Sequence, residues 1–317
     1  MPERARVVVA GAGAVGSVVG GMLAARGHDV LLIGRAPHMT EIERSGLAVT
    51  GIFGEHASRP RTATDLARAD EPADVVFVAV KSHATREVAD VLARWRHAPA
   101  LVVALQNGLG NVETLADALG REKVLGGRVI FGAVVTRPGA AHVTVNAQPV
   151  AIGPLREDAA LRERAGWIAA LFEDAGIPAT AVDAVEPLLW EKALYNCGLN
   201  PLGALHGLTY GEVVASPELR PLLDAAIDEG FAVAKAAGIA LPWRDASGFR
   251  EYFYSTLVPP TAAHRSSMRQ DLEAGRRTEV DAIGGAIVRI GAQLGVPTPV
   301  NARLVDAIHE AERAASR

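Results

Sequence analysis

Several things are scarce in this chain at once. Of 317 residues only four are lysine, against 28 arginines; one is cysteine, and 5% are aromatic. The lone cysteine, Cys197, excludes an internal disulfide and any metal site built from several cysteines. No metal is expected, and a reducing, cytoplasmic setting is compatible with such cysteine usage. Runs of one charge sign are missing and the net charge is -4, which disfavours nucleic acid or an anionic membrane as the main partner. Long apolar spans are also missing, with one near miss. Residues 7–25 carry no charge behind a basic N-terminus, but Gly11, Gly13, Gly16, Gly20 and Gly21 interrupt them. The stretch divides into a short valine run and a helix-like segment, so neither a membrane span nor a signal peptide is expected.

What remains is the composition of a globular protein, 49% hydrophobic and 21% charged. The length exceeds that of one ordinary core, so two domains are expected. Residues 6–10, "RVVVA", form a β-branched run ending at glycine, followed by a helical segment closed by Gly27. "DVLLIGR", "ADVVFVAVK" and "ALVVALQNG" repeat the pattern with helices between them. Strands apolar on both faces and alternating with helices predict βαβ units in a parallel sheet. Residues 124–153 predict an antiparallel strand pair added to that sheet, around the turn "RPGA"; a helix over about 157–175 and a short strand follow. From Val185 onward helical patterns dominate, broken by Pro201, Pro217, Pro242 and Pro259-Pro260. Thr278, with Asp281 three residues on, is the expected N-cap of the last long helix, which Gly295 and Pro297 stop.

"AGAGAVG" places Gly11, Gly13 and Gly16 in a G-x-G-x-x-G pattern between a strand and a helix. In that context the first glycine permits the turn, the second admits a pyrophosphate to the backbone, and the third lets helix and sheet close up. The anion then meets free amides at the helix N-terminus. At the tip of the second strand, where NAD-binding proteins tend to carry a carboxylate, stands Arg35, with Asp29 before the strand. This points to NADP, a guanidinium pairing with a 2'-phosphate; the alternative is an ordinary surface arginine. Two more side chains stand at strand tips. Lys81 is either a cofactor contact or an exposed helix-start lysine, and Asn107 in "QNG" is either a site residue or turn chemistry.

"WEKALYNCGLNPLGAL" carries Lys192, Asn196 and Asn200 at i, i+4 and i+8. They span roughly 80° of a helix, hence one stripe. Lysine can give up its proton where arginine cannot, and partial desolvation moves a lysine from about 10.4 toward neutrality, where acid catalysis is efficient. The alternative is a solvated helix face shared with Glu191. "HRSSMRQDLEAGRRTEVD" adds Ser266, Ser267, Asp271 and Glu279, which either touch substrate and lysine or only cap helices.

In this order, "GAGAVG", "VAVK", "LQNG", "KALYNCGLNPLGAL" and "HRSSMRQDLEAGRRTEVD" resemble the ketopantoate reductase (2-dehydropantoate 2-reductase) family over nearly the whole chain. Such enzymes reduce 2-dehydropantoate to pantoate with NADPH, in pantothenate biosynthesis. The resemblance implies an α/β Rossmann-type doubly wound sheet, residues 1–183, then an all-α substrate domain like that of 6-phosphogluconate dehydrogenase, residues 184–317. It implies Lys192 as general acid with Glu279 its charge partner. Asn107, Asn196, Asn200 and Ser267 are the implied substrate binders. Gly11, Ala12, Gly13, Ala14, Val15, Gly16, Arg35 and Lys81 are the implied cofactor contacts, with Asn107 implied at the cofactor–substrate junction. The partner is then a small 2-oxo acid, and a homodimer is left open. Two rival readings are a related NAD(P)-dependent dehydrogenase acting on another 2-oxo or 3-hydroxy acid or an imine, and a non-catalytic NADP-binding sensor. Residues 242–265 are where specificity is expected to vary.

Overall fold

A computed structural model describes residues 4–315. Contacts divide the chain into two units. One takes in the chain as far as Gln106 together with Asn111–Glu186; the other takes Asn107–Gly110 and the chain from Pro187 onward.

The first unit is built on strands β1 (Arg6–Ala10), β2 (Asp29–Ile33), β3 (Leu47–Gly51), β4 (His56–Ser58), β5 (Arg61–Ala63), β6 (Val75–Val78), β7 (Val102–Ala104), β8 (Val124–Arg128), β9 (Phe131–Arg137), β10 (Ala140–Asn146), β11 (Val150–Gly153) and β12 (Ala179–Ala181). Its helices are α1 (Ala14–Ala25), α2 (Ala36–Ser45), α3 (Thr85–Ala93), α4 (Asn111–Leu119) and α5 (Ala159–Asp174). Eight strands form one sheet in the order β12-β11-β8-β7-β6-β1-β2-β5. It is parallel from β8 to β5, and β11 joins β8 antiparallel. From β1 the chain first winds to β2 on one side and later to β6 on the other. The order therefore reverses at β1, and such a switch point is where doubly wound sheets bind ligands. The central strands are buried on both faces, as in Val7, Val8, Val9, Val75, Val76 and Phe77, because helices cover each side.

The predicted strand pair forms, but not as an addition to this sheet. β9 and β10 pair antiparallel, and β10 continues parallel to β3 in a separate sheet, β4-β3-β10-β9. The edge at β8 is taken instead by β11 (Ala151 opposite Arg128). The apolar face of the second sheet closes over α1. Glycines make this double packing possible: a Cβ on Gly20 would lie 2.3 Å from Leu32 in the main sheet, and one on Gly21 would lie 2.8 Å from Val49 in the second. Buried His38 ties the layers together. Its Nδ1 accepts from Gly139 N–H (3.0 Å) in the β9–β10 turn, so its Nε2 carries the proton and donates to Ser17 Oγ (2.9 Å) on α1.

The second unit is helical: α6 (Glu186–His206), α7 (Tyr210–Ala215), α8 (Arg220–Ala236), α9 (Ala246–Tyr252), a π-helical turn over Phe253–Leu257, α10 (Ser267–Glu273), α11 (Gly284–Leu294) and α12 (Pro299–Ala315). Pro201 does not break α6. Proline there removes one backbone donor, for the carbonyl of Cys197, but the helix is buried on nearly all sides from Leu189 to Gly203, and packing outweighs local propensity. The expected helix at Thr278 also differs. Thr278 Oγ1 accepts from Val280 N–H and opens only a 3₁₀ turn, Val280–Ala282. Asp281 pairs with Arg277 and His309 instead of capping. The backbone turns at Ile283, and α11 begins at Gly284. Nor is α11 the last helix, since α12 follows, its N-terminus capped by Glu229 on α8. That carboxylate accepts from the N–H groups of Val300 (2.7 Å) and Asn301 (2.9 Å) and from Asn301 Nδ2 (2.9 Å).

Candidate functional site

In the first unit the candidate residues gather at the carboxyl ends of β1, β2 and β6. Gly11 leaves β1 at φ +110°, and a Cβ there would stand 2.4 Å from the backbone nitrogen of Val80; a Cβ on Gly16 would stand 2.1 Å from the carbonyl oxygen of Gly11. The fold itself demands both glycines. Gly13 is different. Its φ is -81°, it is exposed, and a Cβ there would meet nothing within 4 Å. Among the described residues no packing contact requires glycine at this point, and the bare backbone leaves room for a group to lie on it. Gly13 is also the N-cap of α1, with no side-chain cap and no acidic residue in the first turn. The opening amides of the helix, at Ala14, Val15 and Gly16, have no intrahelical acceptor, and the dipole favours an anion beside them. This cradle fits a dinucleotide pyrophosphate.

The tip of β2 lies against the same loop. The N–H groups of Gly11 and Ala12 both donate to Ile33 O, at 3.0 and 2.7 Å, and a Cβ on Gly34 would lie 3.0 Å from that of Ala12. Arg35, the next residue, is exposed and is the N-cap of α2, whose first turn has no acidic residue. Asp29 sits at the opposite end of β2, bonded to Arg61 at 3.0 Å. Lys81 follows Val80, the residue Gly11 turns against, and is half-buried.

The sequence reading missed a buried relay at the end of β7. Gln106 Nε2 donates to Thr85 Oγ1 (2.8 Å), which donates to Asn111 Oδ1 (2.7 Å). It pins the strand end to the starts of α3 and α4. Nothing in the sequence distinguishes this Thr85 from an ordinary helix-start threonine.

In the second unit Asn107 meets Lys192 and Glu279. Lys192 Nζ donates to Asn107 Oδ1 at 2.5 Å, and Asn107 Nδ2 lies 3.5 Å from Glu279 Oε2. The two contacts agree chemically. A carboxylate only accepts, so the amide must turn its NH₂ toward Glu279 and its carbonyl toward the ammonium. Lys192 is half-buried, while Glu279 is 8% exposed. Asn196 and Asn200 continue the stripe along α6, at 6% and 3% exposure. The Asn200 carbonyl Oδ1 accepts from the Tyr210 hydroxyl at 2.6 Å.

The two serines divide their work. Ser266 is a cap: its Oγ accepts from Arg269 N–H and donates to the backbone carbonyl of Asn200. Ser267 is the first residue of α10 and is half-buried. The Ser266 bond thus registers Ser267 against the α6 stripe. Among the described residues no cluster of His, Cys, Asp or Glu could hold a metal ion, and no helix is long and apolar enough to cross a membrane.

Comparison with known proteins agrees across the chain. Residues 7–157 match the family described as ketopantoate reductase PanE/ApbA, and residues 184–312 match its C-terminal model. A 2-dehydropantoate 2-reductase of Aquifex aeolicus is 34% identical over 299 residues, 93% of each chain. One of Halobacterium salinarum is 36% identical over 310 residues, 97% of this chain and 99% of its own. Among solved structures, a PanE/ApbA family ketopantoate reductase from Ralstonia eutropha superposes with a TM-score of 0.86 at 32% identity, covering 98% of this chain and all of that one. D-mandelate dehydrogenase with NADH and anilino(oxo)acetate superposes at 0.87 with 25% identity and the same coverage. The α/β unit with its parallel-rich sheet, followed by a helical unit, is the architecture these reductases share. The chain belongs to the ketopantoate reductase family, oxidoreductases that act on a CH–OH/C=O pair.

Proposed function

We propose that the protein reduces a 2-oxo acid with NADPH, and that the acid is 2-dehydropantoate, giving pantoate for pantothenate biosynthesis. In this reading the chain to residue 183 binds the dinucleotide and residues 184–317 bind the substrate. Reduced nicotinamide, when bound, supplies a hydride. Gly11 to Gly16 hold the pyrophosphate, Lys81 lies beside it, and Arg35 takes the 2'-phosphate. The single observation that carries the reading is the bond from Lys192 Nζ to Asn107 Oδ1, at the head of a stripe of buried amides.

Reduction places negative charge on the former carbonyl oxygen. The Lys192 ammonium stabilises that charge and delivers the proton to the same atom, so electrostatic and acid catalysis coincide. Asn107 accepts one N–H of the ammonium and so fixes where the group points. Glu279 holds Asn107 in the required orientation and supplies the balancing charge. Asn196, Asn200 and Ser267 receive the acid's carboxylate and hydroxyl oxygens. We place the reaction in the cytoplasm, where the buried free thiol of Cys197 is at home, with a small-molecule substrate as the partner.

A second reading draws on the likeness to D-mandelate dehydrogenase with NADH: an oxidoreductase of another 2-hydroxy acid. Absorbance at 340 nm separates the two. Purified protein is given NADPH or NADH with 2-dehydropantoate, aromatic 2-oxo acids and small aliphatic 2-oxo acids. The highest kcat/KM is expected with NADPH and 2-dehydropantoate. Preference for NADH and an aromatic acid would replace the first reading by the second.

A further inference from the structure

We infer that Tyr210 is a positioning residue for substrate binding: its hydroxyl fixes the Asn200 amide so that only N–H donors face the substrate. The inference rests on the assignment of Asn200 as a substrate binder.

A buried amide has two unlike ends, and the end that faces a ligand decides what can bind. On Asn200 the Oδ1 end is occupied by the Tyr210 hydroxyl at 2.6 Å. Burial, and after it the neighbouring Tyr195, pushes the Tyr210 phenol well above its ordinary value. The hydroxyl keeps its proton, and because it faces an amide oxygen, which only accepts, it donates. The remaining end of Asn200 is NH₂, which suits a carboxylate or alkoxide oxygen and rejects a donor.

The tyrosine is itself firmly held. It is 4% exposed and is the first residue of α7. A reciprocal capping box between Thr209 and Glu212 fixes the start of that helix. Its own N–H donates to His264 O (3.1 Å), and the N–H of Gly211 donates to Ala262 O (2.8 Å). The rings of Tyr195 and His264 meet it edge-on at 5.6 and 5.2 Å. The "TYGE" capping signature is legible in the sequence; that the residue inside it reaches Asn200 is not.

The test is a steady-state mutant cycle on the full chain, with thermal melting and cofactor titration for each variant. Tyr210→Phe keeps the ring and removes the donor. One net hydrogen bond sets the scale, so KM for the 2-oxo acid should rise about tenfold, with kcat within a few-fold and cofactor Kd unchanged. In an Asn200→Ala background the same substitution should add nothing, because Tyr210 acts only through that amide. Asn200→Asp is the second variant. With Tyr210 donating to one carboxylate oxygen, the other faces the substrate's own carboxylate, so Asn200→Asp should bind the acid more weakly than Asn200→Ala. If Asn200→Ala leaves KM unchanged, the substrate assignment of Asn200 fails and the inference falls with it. If Asn200→Ala raises KM but Tyr210→Phe does not, or the two effects add, the positioning role alone is overturned. Tighter binding by Asn200→Asp than by Asn200→Ala would show that the amide faces the substrate with its carbonyl, and would also overturn it.

Discussion

Substituting Gly13 by alanine should separate the glycine loop's service to the fold from its service to a ligand. At φ -81° the backbone is open to any residue, and the added methyl meets no atom of the described residues within 4 Å. Two small terms act on stability. Alanine restricts the unfolded chain, a gain of about 0.4–1 kcal/mol, and it is a poorer N-cap than glycine, a cost of up to about 1 kcal/mol. They nearly cancel, so Tm should move by no more than about 4 °C. In the proposed placement of the dinucleotide, however, the methyl projects into the space through which the pyrophosphate approaches the amides of α1. Losing one charge-assisted contact there costs about 1.5–3 kcal/mol, which is roughly a ten- to hundredfold rise in cofactor Kd. Fluorescence titration of NADPH and a thermal melt on the same sample measure both. Unchanged Kd would refute the placement of the dinucleotide on Gly13. A Tm drop well beyond that range would mean the glycine serves the fold. Gly16→Ala is the control, since its Cβ would strike the carbonyl of Gly11 at 2.1 Å and should prevent folding.

Further outcomes follow from other sites. Arg35→Gln should raise NADPH Kd roughly ten- to hundredfold, the value of a charge-assisted phosphate contact, and leave NADH affinity unchanged; equal losses for both cofactors would remove the 2'-phosphate role. Glu229→Ala strips three donors at the start of α12 of their acceptor, a loss of about 3–5 kcal/mol that urea denaturation can measure, with cofactor Kd unaffected. Burial lowers His38 below the ordinary histidine value of 6.5. The unfolded chain therefore takes up the proton first. The stability held by neutral His38 is complete above about 6.5 and is lost as pH falls from there through the depressed value. Burial lowers His264 in the same sense. Unfolding free energy measured from pH 7.5 to 5 should decline, with a shallower slope in His38→Gln; an identical slope would exclude His38 from the transition.

The architecture was legible because a doubly wound sheet announces itself by apolar runs ending at the same edge. Gly11, Arg35 and Lys81 could be placed together from strand order alone. The stripe on α6 was legible because i, i+4 spacing needs no tertiary information. Long-range pairing was not. Whether "FGAVVTR" joins the main sheet depends on β11 taking the β8 edge and on Gly21 admitting a second layer over α1. Pro201 misleads because local propensity reads it as a break, while burial around α6 holds the helix through it. Thr278 misleads because Arg277 and His309 hold the carboxylate expected to cap, and α11 starts six residues later. Tyr210 escaped because the partner of a hydroxyl ten residues from Asn200 is set by how α7 packs.

The most direct measurement is kcat of Lys192→Ala with saturating NADPH and 2-oxo acid, paired with cofactor Kd. Acid catalysis by a positioned group contributes about 10²–10⁴-fold, so turnover should fall by that factor while cofactor binding stays as in the native protein. Turnover close to native, with the variant folded and loaded, would contradict the assignment of Lys192 as the proton donor.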